Sequence, residues 1–159
     1  MEITKQKVDW VYEVWDLLVE SFQHPNNHTR SIAGQLISNL AKSDDEGRIQ
    51  RDFPKLLELT KDKMFVTARH VLMSIWKIGL TGENNLQMVL GGLSERYMNC
   101  TEEKNWTLIR ADIIQGLKKL YVALGDERIR QTATELIEQE TDAKYKKKYL
   151  SIWRKKENG

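Results

Sequence analysis

The chain has 159 residues, 40% of them apolar and 30% charged, with nine Gly, two Pro and one Cys. This composition excludes a collagenous or low-complexity chain, and a single cysteine, Cys100, excludes an internal disulfide framework and a cysteine-only metal cage. The formal net charge is +2, but seven of the 25 basic residues fall between Lys144 and Lys156, where no acidic residue lies. The remainder is net acidic, which argues against a uniformly basic nucleic-acid surface.

Apolar periodicity divides the chain into eight helical segments. The first, residues 5–22, carries Val8, Val11, Trp15, Leu18 and Phe22 on one stripe. Pro25 and the asparagines after it break it. Ile32, Ala33, Leu36, Ile37 and Leu40 form the second stripe, ending near Lys42, and Ser43, Asp44 and Asp45 offer caps for the next helix. The third, residues 46–60, turns Ile49, Phe53, Leu56 and Leu57 inward and holds Pro54, which predicts a kink or a boundary. The fourth carries Phe65, Ala68, Val71, Leu72, Ile75 and Trp76 and stops at Gly79 or Gly82.

The fifth, residues 83–98, carries Leu86, Val89, Leu90, Leu93 and Tyr97. Its central Gly91 and Gly92 read as a close approach by a neighbouring helix or as a hinge. Thr101 or Asn105 caps a sixth helix with Ile109, Ile113, Ile114, Leu117, Leu120 and Tyr121. Gly125 and Asp126 separate it from a seventh with Ile129, Ala133, Leu136 and Ile137. The eighth starts near Asp142 and carries Tyr145, Tyr149, Ile152 and Trp153. No run alternates apolar and polar residues, so the predicted fold class is all-α.

Chemistry-bearing motifs are sparse. His24 and His28 stand four apart, but Pro25 interrupts the helix that would align them as ligands. Asp44, Asp45 and Glu46 lack the spacing of a calcium loop and read as a helix-start cap. Cys100 has no paired histidine. There is no phosphate-cradling glycine loop, dinucleotide fingerprint or serine elbow. The expectation is therefore no enzyme, no cofactor and no metal. No apolar run reaches the roughly 20 residues of a membrane span, and no charged-then-apolar leader opens the chain, so a cytoplasmic location is expected.

Internal similarity argues for repeats. Arg30, Ile32, Ala33, Leu36 and Ile37 match Arg69, Val71, Leu72, Ile75 and Trp76 position by position, about 40 residues on. Ala111, Ile113, Ile114 and Leu117 continue the pattern, with Arg110 one place off the basic position. Phe53, Pro54, Leu56, Leu57 and Leu59, then Asp62, Val66 and Arg69, resemble the HEAT-repeat pattern of the armadillo-like families. That resemblance implies that Pro54 bends the first helix of its pair and that Asp62 and Arg69 help join adjacent repeats. It also implies a scaffold that binds other macromolecules and no reaction. The expected architecture is a right-handed α-α superhelix of about four HEAT-like hairpins, one domain over residues 1–159.

In such a stack the second helix of each pair lines the concave face. Projection of the stripes sets Ser31, Gln35 and Ser38 outward on the first, His70, Met73, Ser74 and Lys77 on the second, and Asp112, Gln115 and Lys119 on the third. This small-polar, mixed-charge surface suits a protein or peptide partner better than nucleic acid. The alternative is a nucleic-acid-binding or alkylpurine-glycosylase-like DNA-repair protein, with an aromatic pocket at Trp106 and Asp112. The last helix, residues 142–156, is a basic amphipathic cap. Its patch of Lys144, Lys146, Lys147, Lys148, Arg154, Lys155 and Lys156 is open to an acidic partner, to phosphate or to a membrane surface.

Overall fold

The computed structural model describes residues 2–156, and the regular structure among them is entirely helical. The α-helices are α1 (Val11–Glu20), α2 (Asn27–Leu40), α3 (Arg48–Leu59), α4 (Phe65–Ile75), α5 (Glu83–Met98), α6 (Trp106–Leu124), α7 (Glu127–Glu138) and α8 (Ala143–Arg154). They fall into two compact units, Met1–Val89 and Leu90–Gly159, with the division inside α5.

In the first unit, α1 packs on α2, and α2 has its broadest contact with α4. Trp15, Ile37, Leu40, Ile49, Leu56, Val71, Leu72 and Ile75 are buried. The stripes predict most of this core. Leu57 is half-buried, because Leu56 and Leu59 hold the inward positions on α3. Pro54 lies within α3 with its ring exposed. Gly34 allows the α2–α4 contact: a Cβ there would stand 2.8 Å from Val71 Cγ2 and 3.0 Å from Leu59 Cδ2.

The first helix is shorter than expected. Residues 2–5 form a single 3-10 turn, and α1 begins only at Val11. The intervening chain is held elsewhere. The Val8 amide donates to Ser43 Oγ at 2.8 Å, and Asn39 Nδ2 donates to Thr4 Oγ1 at 3.1 Å, so this stretch is tied across the end of α2. Ser43 is thus not the cap of α3. Asp44 accepts from the Arg48 and Ile49 amides at 2.9 and 2.7 Å and from Tyr12 Oη at 2.7 Å. Gly47 supplies the left-handed turn, φ 73°, that leads into α3.

In the second unit, α6 packs on both α7 and α8. Tyr97, Ile113, Ile114, Leu117, Leu120, Ile129, Ala133 and Tyr149 are buried. Gly125 ends α6 in the left-handed region, its amide bonded to Tyr121 O at 2.7 Å. Asp126 and Asp142 cap α7 and α8 through their side chains. Asn105 stands at the N-cap of α6 without a side-chain cap bond.

One device occurs in both units. Arg30 on α2 forks onto Asp62, before α4, at 2.6 and 2.9 Å. Arg110 on α6 reaches Glu140, before α8, at 3.0 Å. In each case the arginine of one helix holds the acid in the turn before the helix packed against it. Asp62 thus ties α2 to the turn before α4, and its partner is Arg30. Arg69 lies over the Phe65 ring at 5.8 Å.

Candidate functional site

The α2–α4 contact sets two helical faces side by side. On α4, Val66, His70 and Met73 follow one another at three- and four-residue spacing, which places them on one face, and Lys77 lies in the 3-10 helix Trp76–Thr81 that continues the chain. Gln35 Nε2 lies 3.2 Å from His70 Nδ1 and donates to Ser31 Oγ at 3.0 Å. Lys77 Nζ donates to Asn39 Oδ1 at 3.0 Å. Of the residues projected outward, His70 and Met73 are exposed, while Gln35 and Lys77 are half-buried. Ser38 is buried and bonds back to Gly34 O at 3.0 Å. Ile32, which the sequence placed on the inward stripe of its helix, is instead 48% exposed, and Val66 and Met73 are 61% and 45% exposed.

At the C-terminal end of this face lies a cleft of about 570 Å³. Lys5, Lys42, Lys77, Asn39, Trp76 and Leu80 are among its walls. Lys42 Nζ donates to the Lys5 carbonyl, and Lys5 Nζ pairs with Glu2 at 3.0 Å. The Trp76 indole nitrogen is buried without an acceptor. The projection found only Lys77 of these six. Lys5 and Lys42 lie outside the apolar stripes, and a cavity between helix ends leaves no periodic trace.

On α6, Asp112 is buried, and Gln115 and Lys119 are half-buried. Trp106 is half-buried as well: its ring meets Tyr145 edge-on at 5.8 Å, and the Arg110 guanidinium lies 5.2 Å from it. Arg110 also lies 4.3 Å over the Tyr97 ring and donates to the Tyr97 carbonyl at 3.1 Å. Cys100 is buried next to this group, and burial pushes its thiol pKa up. A raised pKa makes a poor nucleophile. His24 and His28 are exposed, and no group of three metal-binding side chains occurs among the described residues.

The basic helix α8 is docked through its stripe. Tyr149 is fully buried and donates to Thr107 O at 3.3 Å. Trp153 is half-buried against Tyr121, ring centroids 5.5 Å apart, with Lys118 Nζ 5.2 Å from its ring. Lys146 is half-buried and bridges to Glu138 at 2.8 Å. Lys144, Lys147, Lys148, Arg154, Lys155 and Lys156 are exposed. Tyr149→Ala is expected to cost about 3–5 kcal/mol, and Trp153→Ala about 1–2 kcal/mol because the indole is only partly buried. Replacing Lys147, Lys148 and Lys155 together by Gln should change stability by about 0.5 kcal/mol or less. Urea unfolding followed by circular dichroism checks all three. Equal losses for Tyr149→Ala and the lysine triple would contradict the docked arrangement.

No described helix is long and apolar enough to cross a membrane. No protein-family model matches the chain, and no curated protein or solved structure does so either.

Proposed function

We propose that the chain is a non-catalytic helical-repeat module that binds a protein or peptide partner on the α2–α4 face. The repeat reading is supported by the paired arginine–acid device and by the parallel contacts of α2 with α4 and α6 with α8. The binding reading is carried by one observation. Ile32, Val66 and Met73 stand exposed around Gln35 and His70, which bond to each other. A partner covering this face gains apolar burial, and the two polar side chains keep a bond when water leaves.

The reading is tested by panning a random peptide library, displayed on phage, on the purified chain. Enriched peptides should bind the intact protein and lose affinity by about tenfold or more on Met73→Asp, since a charge would then face an apolar anchor. Absence of any enrichment over the Met73→Asp protein would overturn the reading. The glycosylase-like alternative requires an accessible aromatic beside Asp112. Trp106 is occupied by Tyr145 and Arg110, and Asp112 is buried. Incubation with alkylated duplex DNA should accordingly release no base. Release that vanished on Asp112→Asn would put the alternative in its place.

A further inference from the structure

The outward side of α8 carries charge that its docking on α6 does not use. Tyr149 is turned to α6, while Lys147, Lys148, Arg154 and Lys155 stand exposed. Lys146 is bridged to Glu138 at 2.8 Å. The side chains of the other four have no ion-pair or hydrogen-bond partner among the described residues. An open groove of about 660 Å³ runs along this helix, with Ala143, Leu150, Lys147, Arg154 and Lys155 among its walls. Ala143 and Leu150 are seven residues apart, and so are Lys147 and Arg154. Seven residues are close to two helical turns, so each pair forms a strip along α8 with its members about 10 Å apart. The strips lie side by side, because Ala143 and Lys147, like Leu150 and Arg154, are four apart. Leu150 is half-buried, so the apolar strip lies deeper than the charges. Capping of the second unit explains the inward stripe of α8. It does not explain uncompensated cations beside an apolar strip of the same seven-residue period.

We propose that this groove receives an acidic amphipathic helix of a partner protein. Apolar side chains of that helix, recurring every seven residues, pack on Ala143 and Leu150. Its carboxylates, at the positions flanking the apolar seam, pair with Lys147 and Arg154, the way flanking charges set partner choice between packed helices. Lys148 and Lys155 add attraction at longer range. A lipid surface fits less well. The three aromatic side chains that could anchor α8 in a headgroup layer are docked on α6: Tyr145 against Trp106, Tyr149 on the Thr107 carbonyl and Trp153 against Tyr121. For the same reason α8 offers a nucleic acid no free ring on which a base could stack, and a phosphate chain would leave the apolar strip uncovered. The proposal goes beyond the reading of the α2–α4 face and does not depend on it.

The test is fluorescence anisotropy with the full chain and a labelled peptide, acetyl and amide capped, of three Glu-Leu-Ala-Ala-Leu-Glu-Gln repeats. Its glutamates flank the apolar seam on both sides and repel a second copy of the peptide, which keeps it available. One control peptide has Gln for Glu. Another has the same composition in scrambled order, which keeps the charge and breaks the period. Phosphatidylserine–phosphatidylcholine vesicles and a duplex DNA are titrated as competitors. The expected result is saturable binding of the first peptide, with each control peptide weaker by about tenfold or more. Lys147→Glu with Arg154→Glu should abolish binding, and because both side chains are exposed, urea unfolding should stay near that of the parent. Lys147→Gln with Arg154→Gln provides a second variant should the reversal disturb folding; it should weaken binding in the same direction. Leu150→Gln keeps every cation and should still weaken binding by about tenfold. Equal binding of the scrambled peptide reduces the groove to a region of positive charge and overturns the proposal. So do unchanged binding in the Lys147→Glu, Arg154→Glu protein and the absence of saturable binding at about 0.1 mM protein. Displacement by vesicles or duplex at a lower concentration of charge than unlabelled peptide needs puts a membrane or a nucleic acid in the partner's place. Met73→Asp tests the α2–α4 face separately.

Discussion

Trp15→Ala is expected to lower the free energy of unfolding by about 3–5 kcal/mol, among the largest single effects in the first unit. The indole has no exposed surface, and its Nε1 donates to Asp52 Oδ2 at 2.9 Å. The substitution removes a large packed ring and takes one donor from a fully buried carboxylate. Arg51 and Lys55 remain to hold that carboxylate, at 2.8 and 3.4 Å, so the loss is not compounded by an isolated buried charge. Trp15→Phe separates the two contributions, since it keeps most of the apolar contact and deletes the hydrogen bond. It should cost clearly less than Trp15→Ala in urea unfolding followed by circular dichroism.

The same carboxylate gives the first unit an acid dependence with a definite sign. Burial pushes the Asp52 pKa up, but hydrogen bonds from Arg51 and Trp15 outweigh it and hold the group below its ordinary value. Asp62 is also held low, by Arg30 against an opposing effect of burial. A depressed folded pKa means stabilisation that is complete above the unfolded value, about 4, and lost as the pH falls through the folded one. The unfolding midpoint should therefore be level at neutral pH and drop below about pH 4. Asp52→Asn should shallow that drop, and an unchanged acid limb would show that Asp52 does not contribute to it.

Arg110→Ala is the corresponding expectation in the second unit, at about 3–5 kcal/mol. Arg110 and Glu140 are each at most 5% exposed in their side chains. Removing the guanidinium leaves Glu140 as a buried charge whose Oε1 already has no partner. It also takes from the Tyr97 carbonyl one of its two donors, Cys100 Sγ remaining, and from the Tyr97 and Trp106 rings their cation. Replacing both members by apolar residues, Arg110→Met with Glu140→Leu, should recover much of the loss, because it leaves no stranded charge. A double variant no more stable than Arg110→Ala would locate the energy in ring packing instead of the ion pair.

Helices bounded by short-range chemistry were legible in the sequence. Asp126 and Asp142 cap α7 and α8, and Gly125 ends α6, each read from residues within a turn of the boundary. The N-terminal stretch was not, because its amide and side-chain bonds run to Ser43 and Asn39, about 35 positions away. Buried charges were missed for the same reason. Arg30, Asp52, Arg110 and Glu140 interrupt the apolar pattern, and each has a partner 30 or more positions off. The candidate face was half visible: helical spacing located His70, Met73 and Lys77. It could not show that Ser38 turns back onto its own helix or that Lys5 joins Lys42 at the cleft.

Cys100 gives the second unit a built-in clock. Its sulfur is fully enclosed, donates to the Tyr97 carbonyl at 3.3 Å, and belongs to the only cysteine in the chain. A disulfide reagent is attacked only by an ionised, reachable thiolate, so labelling must pass through molecules in which the segment between α5 and α6 has come open. At low reagent, the labelling rate relative to that of a free cysteine counts how often that segment is open. At high reagent the rate levels off at the speed of opening itself.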